Sequence, residues 1–195
     1  MRTAQTEPEI EGLLSPFLRR KRLEEVMKWL AGNSVLDYGC GRGELLSMMG
    51  GGWKYVGIDL NPDFIRFAQR RFPQANFRVL NLEDCQSPDL GKFDCIVAAA
   101  IIEHLECPER LLKELSRHLR DGGRLIITTP SPRGRFLLSI GARIGLLNRR
   151  VEDTHRSILS AEDLLKLMRA CPLQVRSYST FLLGLNQLLV AEKGS

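Results

Sequence analysis

Short apolar runs and amphipathic segments alternate along most of this 195-residue chain. The runs typical of β-strands lie at 34–39, 54–60, 76–82, 93–100 and 122–130, and the helical patterns lie at 43–50, 61–72, 107–119 and 160–170. Such alternation predicts an α/β fold, a doubly wound parallel sheet with right-handed crossovers. Two final runs, 173–184 and 186–193, are too close together for a helical crossover, so they should pair as an antiparallel hairpin. The expected sheet has seven strands and is mostly parallel, with an antiparallel C-terminal hairpin strand.

Composition places the chain among ordinary globular proteins, with 44% apolar and 26% charged residues. We expect a single domain over 1–195, with an N-terminal helical segment at 1–32 and an insertion at 131–158. No apolar run reaches the roughly 18 residues of a membrane span, and the first residues lack a signal-peptide core, so a cytoplasmic location is expected. The five cysteines are widely spaced without a C-x-x-C pair, which favours neither a disulfide framework nor a zinc site.

The stretch "LDYGCGRGEL" (36–45) closes the first predicted strand and contains three alternating glycines after Asp37. In doubly wound sheets the ligand lies beyond the carboxyl ends of the strands, which is where this stretch falls. The spacing is G-x-G-x-G, whereas dinucleotide-binding proteins use G-x-G-x-x-G. Asp37 would repel a pyrophosphate but attract an amine. The pattern therefore favours a ligand with an amino-acid-like part, whose carboxylate would lie near the helix that Gly43 opens.

Several motifs in order resemble the class I S-adenosylmethionine-dependent methyltransferases. They are "VLDYGCGRGELL", then "YVGIDLNP", then "FDCIVAAAIIEHLECPERLLKELSRHLRDGGRLIITTP". The resemblance covers about 34–130 and returns in the last helix and hairpin. Its nearest type is the small-molecule methyltransferases of quinone biosynthesis, which share the "EH" after the fourth strand. It implies a Rossmann-like fold and S-adenosylmethionine as the cofactor.

The resemblance also assigns cofactor contacts to individual residues. Asp37 matches the acid that holds the methionine amino group, and Asp59 matches the carboxylate that binds both ribose hydroxyls. One carboxylate offers two oxygens to two vicinal O–H donors. The other implied contacts are Gly39, Gly41 and Gly43 along the methionine and ribose, Leu60 under the adenine, Asn81 and Leu82 at the adenine amino group, Ala99 near the sulfur, and Arg19 at the methionine carboxylate. Family members usually carry an acid where this chain has Asn81.

Two histidines are candidates for the catalytic base. A sulfonium methyl group is already activated, so the protein must mainly hold a nucleophile in line with it. A base helps when the nucleophile is a hydroxyl, and histidine has a suitable pKa. His104 follows the fourth strand, and His155 stands just before the last helix, where many relatives have a histidine over the substrate. The quinone-type relatives carry a metal-linked Glu where this chain has Ala100, so no metal is expected.

Charge and missing motifs bear on the methyl acceptor. The net charge is +5, and basic residues cluster in "RRKR" at 19–22 and in an arginine-rich stretch at 131–156. No N/D-P-P-Y/F motif follows the fourth strand, which disfavours methylation of nucleic-acid bases and a stable nucleic-acid partner. The first hypothesis is therefore O- or C-methylation of a small molecule. An RNA- or protein-modifying methyltransferase, and a cofactor-binding protein or NAD-type oxidoreductase, remain as alternatives.

The insertion at 131–158 combines an apolar run, 136–147, with arginines on both sides. Since it follows the fifth strand, it should lie over the mouth of the site. Such a segment suits a substrate with an apolar body and an anionic group, or a transient contact with a membrane surface. The alternative is a lid that only packs on the core and excludes water.

Overall fold

A computed structural model describes residues 15–81, 89–134 and 159–194. Helices α1 to α5 span Ser15–Met27, Glu44–Met48, Pro62–Arg71, Pro108–Arg117 and Ala161–Arg169. Strands β1 to β7 span Ser34–Tyr38, Lys54–Asp59, Asn76–Val79, Phe93–Ala99, Leu119–Pro130, Leu173–Phe181 and Asn186–Lys193. A short 3₁₀ turn, Ile102–His104, follows β4.

The strands of the described ranges form one seven-stranded sheet in the order β3-β2-β1-β4-β5-β7-β6. Neighbours from β3 to β5 are parallel, and β7 runs antiparallel to both β5 and β6. This confirms the predicted α/β class and the antiparallel C-terminal hairpin. The strand order reverses between β1 and β4, and in open sheets this reversal creates a crevice at the carboxyl edge.

Each face of the sheet is covered by helices and has its own apolar core. On one face, β1, β4 and β5 pack against α4 and α5 through buried residues that include Leu36, Ile96, Leu112, Leu125 and Met168. On the other face the same strands pack against α1, α2 and α3 through residues that include Val26, Val35, Leu45, Ile65 and Val97. Because both faces are covered, the central strands are apolar on both sides, as the sequence of β4 indicated.

Two helices begin at residues whose side chains cap them. The Asn61 side chain accepts hydrogen bonds from the backbone N–H of Asp63 at 2.8 Å and of Phe64 at 3.3 Å, at the start of α3. Ser160 and Asp163 form a capping box at the start of α5. These bonds satisfy backbone donors that a helix N-terminus leaves free. The position of α3 fixes the end of β2 just before it.

Strand β5 begins three residues earlier than its sequence predicts, at Leu119 rather than at residue 122. Phe93 pairs with Leu119 and Cys95 with Arg124, so β5 contains an irregularity that absorbs extra residues. Gly122, with φ of +73°, lies within it. Glycines in this pattern are typical of a turn as well as of a bulge, and the pairing with β4 decides between the two.

Gln187 on β7 joins the two described ends of the insertion. Its side-chain Nε2 donates to the carbonyl of Pro130 at 3.2 Å and to that of Leu159 at 2.8 Å. Its Oε1 accepts a hydrogen bond from the hydroxyl of Tyr178 at 2.8 Å. Gln187 is buried, so these bonds also satisfy an amide that has little access to water. The predicted bounds of the insertion, 131–158, fall mostly outside the described residues, and the division of the chain at 1–32 and 131–158 stays a prediction.

No helix of the described ranges is both long enough and apolar enough to cross a membrane.

Candidate functional site

The loop after β1 is fixed to the end of β2 by its backbone. The N–H groups of Gly39 and Cys40 both donate to the carbonyl of Ile58, at 2.8 and 2.9 Å. Gly39 has a φ of +86°, and a Cβ atom there would lie 2.1 Å from the Cδ1 of Ile101. The positive φ and the close approach of the Ile101 side chain both favour glycine at this position. The bare backbone brings the loop against the turn that follows β4.

Asp59 ends β2, and its carboxylate is held by two backbone amides. Oδ2 accepts from the N–H of Gly41 at 2.8 Å, and Oδ1 accepts from the N–H of Asn61 at 2.9 Å. An ionised carboxylate has about four lone-pair sites, so each oxygen retains acceptor capacity. The oriented carboxylate is therefore suited to two neighbouring hydroxyl groups.

Asp37 lies near the end of β1 and is 3% exposed. Its Oδ2 accepts a hydrogen bond from the Tyr55 hydroxyl at 2.6 Å. Burial raises the pKa of Asp37 to about 7, the hydrogen bond from Tyr55 lowers it, and the negative charges of Glu44 and Asp59 raise it further. A cationic group beside this carboxylate would favour its ionised form. The site therefore fits an ammonium group.

These groups line one cavity of about 360 Å³ at the carboxyl edge of β1, β2 and β4. Its volume falls in the range of small-molecule sites. The predicted site residues among its walls are Arg19, Asp37, Gly39, Gly41, Asp59, Ala99 and His104. The other walls are Leu23, Cys40, Arg42, Glu44, Leu45, Phe64 and Ala100. The structure thus brings together seven of the residues that the sequence assigned to a site.

The remaining predicted contacts lie elsewhere. Gly43 is the N-cap of α2, and a Cβ atom there would lie 3.1 Å from the ring of Phe72, after α3, and 3.3 Å from that of Phe77 on β3. Its closest neighbours are therefore packing aromatic residues. Leu60, which is 56% exposed, follows Asp59, and Asn81 is exposed beyond β3. Neither forms part of the cavity wall. Leu82 and His155 lie outside the described residues.

Arg19 reaches the cavity from α1 and forms an ion pair with Glu44. The Arg19 Nη1 lies 2.9 Å from the Oε1 of Glu44, and the Oε2 of Glu44 accepts from the N–H of Arg42 at 2.9 Å. Glu44 therefore ties α1 to the glycine loop. The sequence did not predict this pairing, because it depends on how α1 packs on α2.

Arg42 and Phe64 form a further part of the cavity wall that the sequence did not predict. The Arg42 guanidinium lies over the rings of Phe64 and Phe67, at 5.1 and 5.5 Å from their centroids. Cation–π contacts of this kind hold an arginine side chain flat against a ring. The available signal was the i, i+3 spacing of the two phenylalanines at the start of α3, next to the end of β2.

The turn after β4 carries both a cavity residue and a buried acid. His104 lines the cavity, whereas Glu103 is 2% exposed and its Oε2 accepts a hydrogen bond from the hydroxyl of Thr129 at 3.1 Å. Its Oε1 has no hydrogen-bond partner among the described residues. Burial raises the pKa of Glu103, while His104 and the Arg22 guanidinium lower it. Ala100, at the start of this turn, has a left-handed φ of +57°, which is uncommon for a residue with a side chain.

Within the part of the chain that the structure describes, no group of three or more His, Cys, Asp or Glu side chains is arranged to hold a metal ion.

Comparison with known proteins agrees with this fold. Residues 11–178 match the family model described as a methyltransferase domain. The chain is 30% identical over 161 residues to ubiquinone biosynthesis O-methyltransferase of Xanthomonas oryzae pv. oryzae, covering 78% of this chain and 67% of the relative.

Solved structures of methyltransferases share the fold. Magnesium protoporphyrin IX methyltransferase from Synechocystis PCC 6803, solved with bound SAH, has a TM-score of 0.68 at 20% identity, covering 90% of this chain and 83% of that one. Geranyl diphosphate C-methyltransferase from Streptomyces coelicolor A3(2) has a TM-score of 0.69 at 19% identity, covering 91% and 78%. The family match spans most of the chain, so the chain belongs to the class I S-adenosylmethionine-dependent methyltransferases, with S-adenosylmethionine as the methyl donor.

Proposed function

We propose that this enzyme transfers a methyl group from S-adenosylmethionine to an oxygen or carbon atom of a small molecule. The observation that carries the proposal is the meeting of Asp37, the glycine loop and Asp59 around one cavity whose far wall is formed by Ala99, Ala100 and His104. The named relatives support this class of acceptor. One is an O-methyltransferase of ubiquinone biosynthesis, one is a methyltransferase of magnesium protoporphyrin IX, and one is a C-methyltransferase of geranyl diphosphate.

In this proposal each end of the cavity binds one part of the cofactor. Asp37 accepts from the methionine ammonium group, and the free lone pairs of Asp59 accept from the two ribose hydroxyls. Arg19 lies where it would approach the methionine carboxylate while it keeps Glu44 in place. Leu60, Asn81 and Leu82 would contact the adenine, and Gly43 would support the loop from behind.

When bound, the cofactor would supply a methyl group activated by the positive charge of its sulfur, which would keep the electron pair of the carbon–sulfur bond as the methyl carbon passes to the acceptor atom. His104 is our candidate to take the proton from an acceptor hydroxyl in this step, because it is the histidine of the cavity wall. The small side chains of Ala99 and Ala100 leave room for the acceptor near the sulfur. His155 stays a second candidate from the sequence.

The basic cluster on α1 gives little support to the alternative of an RNA acceptor. Arg20 and Lys21 both form ion pairs with Glu24, and Arg19 pairs with Glu44 on α2. Part of the positive charge of α1 is thus already engaged by acids of this chain. A small-molecule acceptor, apolar with an anionic group, therefore remains our first choice.

Binding of the cofactor tests the first half of the proposal. Calorimetry should detect S-adenosylmethionine and S-adenosylhomocysteine, and it should detect no binding of NAD(H). Asp59→Ala should weaken binding by roughly 1.5–3 kcal/mol, the usual range for hydrogen bonds to a charged group. Asp63→Ala is the matched control, because Asp63 is an exposed acid that pairs with Arg66 on the surface of α3. Equal affinity of Asp59→Ala and the parent protein would show that the ribose assignment is wrong.

Methyl transfer tests the second half. A labelled cofactor would be offered with fractionated small molecules, lipids, RNA and proteins, and we expect label in a small-molecule or lipid fraction. His104→Asn should lower turnover by about 10²–10⁴-fold while cofactor affinity stays nearly unchanged. Labelled RNA or protein instead would contradict the proposed acceptor class, and steep salt dependence would then identify RNA.

A further inference from the structure

Asp37 and Tyr55 lie on the same face of the sheet, on neighbouring strands. Asp37 pairs with Gly57 across the β1–β2 ladder, and Tyr55 lies two residues before Gly57 on β2. Side chains two residues apart on a strand point to the same face, so Tyr55 is a diagonal neighbour of Asp37. Their hydrogen bond, 2.6 Å between the Tyr55 hydroxyl and Oδ2 of Asp37, follows from this register.

Neighbouring residues fix the Tyr55 ring in this direction. The Tyr55 ring packs on Phe77, with 5.5 Å between the two ring centroids. A Cβ atom on Gly57 would lie 2.7 Å from the Phe77 ring and 2.9 Å from the sulfur of Cys40, so this space is already filled. The phenol is buried and has Asp37 as its hydrogen-bond acceptor. Tyr55 is therefore held as a donor to Asp37 before any ligand binds.

The charged and titratable groups around Asp37 come from several elements of the cavity wall, which include Arg42 of the glycine loop and His104 of the turn after β4. Glu44 on α2 and Asp59 on β2 disfavour its ionised form, and the buried Cys40 thiol stays neutral because burial raises its pKa. Arg19 on α1 lines the same cavity but is paired with Glu44. Burial, and next the charge of Asp37, hold the pKa of Tyr55 well above its usual value, so Tyr55 is a neutral donor at physiological pH. Among these groups, Tyr55 favours the ionised form of Asp37 through a direct hydrogen bond.

We propose that Tyr55 is a positioning residue that holds the Asp37 carboxylate oriented and ionised for the ammonium group of the cofactor. The inference rests on the proposed role of Asp37 as the acceptor for that group. Cofactor affinity should then depend on the ionisation of Asp37 and, through it, on the Tyr55 hydroxyl. A purely structural role of the Tyr55 ring would not produce this dependence.

Tyr55→Phe tests the inference, since it removes the hydroxyl and keeps the ring that packs on Phe77. We would measure affinity for S-adenosylhomocysteine by calorimetry from pH 5.5 to 8.5. For the parent protein, the logarithm of affinity should rise with pH and level off near pH 7. For Tyr55→Phe, affinity should level off about one to two pH units higher. Losing a hydrogen bond to a charged group raises the pKa of Asp37 by about that much. The parent protein should therefore bind about 10- to 100-fold more tightly than Tyr55→Phe at pH 6, and this ratio should fall to within about fivefold at pH 8.5.

Two further variants serve as controls. Tyr178→Phe removes a phenol that donates to Gln187 in the β6–β7 hairpin, away from the cavity, and should behave as the parent does. Asp37→Asn should bind S-adenosylhomocysteine weakly, and the logarithm of its affinity should show no change of slope near pH 7. Adding Tyr55→Phe to this variant should change the affinity little. The ratio of affinities cancels the titration of the ligand's own amino group.

The outcomes separate this inference from the proposed function. A ratio between parent and Tyr55→Phe that stays constant across the pH range would overturn the role of Tyr55 and leave cofactor binding intact. Failure of the parent protein to bind the cofactor at any of these pH values would overturn the proposed function itself. Carbon-13 NMR of aspartate carboxyl groups, with the Asp37 signal assigned through Asp37→Asn, gives a second measure. A titration midpoint of Asp37 that is the same in the parent and in Tyr55→Phe would also contradict the inference.

Discussion

At the residue scale, the role in ligand binding proposed for Asp37 comes with a cost to folding. Burial raises its pKa to about 7, far above the roughly 3.9 of an exposed aspartate. Between these two values the folded chain keeps a proton that the unfolded chain has released. The stability of the ligand-free protein therefore contains an Asp37 contribution that falls as pH rises from about 4 to about 7. The full loss is on the order of 4 kcal/mol for a shift of this size.

Asp37→Asn should remove this contribution. In denaturant titrations without ligand, the variant should gain stability relative to the parent as pH rises from 4 to 8, by up to a few kcal/mol. Other titrating groups, such as Glu103 and Asp94, cancel in the comparison because both proteins contain them. Asp63→Asn is the exposed control and should show little change with pH. If the parent instead gains on Asp37→Asn toward pH 8, Asp37 is already ionised in the folded protein at low pH.

Which site residues could be predicted depended on how local their signals are. Asp37 and Asp59 follow apolar strands, so their place at the carboxyl edge could be read from neighbouring residues. The Tyr55 hydrogen bond required the register between β1 and β2, and the pairing of Glu44 with Arg19 required the packing of α1. Such contacts between distant segments leave no pattern in a single sequence.

At the scale of elements, α1 contributes to the cavity wall and packs on the sheet. Its Arg19 and Leu23 line the cavity, and its Val26 is fully buried against the sheet. One turn of helix after Arg19, Arg22 is half-buried, and its positive charge lowers the pKa of the buried Glu103 in the turn after β4. The sequence pattern predicted a helical segment here with a basic cluster at 19–22. Arg22 differs from Arg20 and Lys21, which form ion pairs with Glu24 on α1.

Arg22→Leu should destabilise the protein by on the order of 1 kcal/mol, because it removes one of the two positive charges that lower the pKa of the buried Glu103. The added change Glu103→Leu should recover part of this loss, and a double-mutant cycle on urea unfolding measures the coupling. Arg20→Leu is the control on the same helix, since Arg20 is exposed and pairs with Glu24. Additive effects of Arg22→Leu and Glu103→Leu would show that the two groups are not coupled.

At the scale of the whole molecule, the sheet order places the cavity where β1 and β4 diverge. The chain leaves the sheet for the predicted insertion at Pro130, on the same carboxyl edge. The cofactor contacts proposed here come from α1, from β1, β2 and β4, and from the segments that follow β1 and β3, whereas the insertion contributes none of them among the described residues. Binding of the cofactor and choice of the acceptor should therefore be separable.

Deletion of 133–150 should abolish methyl transfer and leave affinity for S-adenosylhomocysteine within about threefold of the parent value. Thermal unfolding would check that the deletion variant is folded. As a control, the hairpin turn at 182–183 would be replaced by Asn-Gly, since both leucines have left-handed φ values and lie at the same edge. This control should retain transfer. Undiminished transfer by the deletion variant to the same acceptor would show that the segment does not cover the substrate.

The bonds of Gln187 also bear on how this enzyme could change its substrate during evolution. Because one buried amide holds the carbonyls of both Pro130 and Leu159, the chain departs from and returns to a single point of the sheet. The entropy of closing a loop grows slowly with its length, by about 0.6 kcal/mol for each doubling. Segments of different length and composition could thus be exchanged at this point without disturbing the strands that hold the cofactor. For an insertion that covers the acceptor, as expected from the sequence, exchange of the segment between Pro130 and Leu159 should change acceptor preference and leave cofactor binding in place.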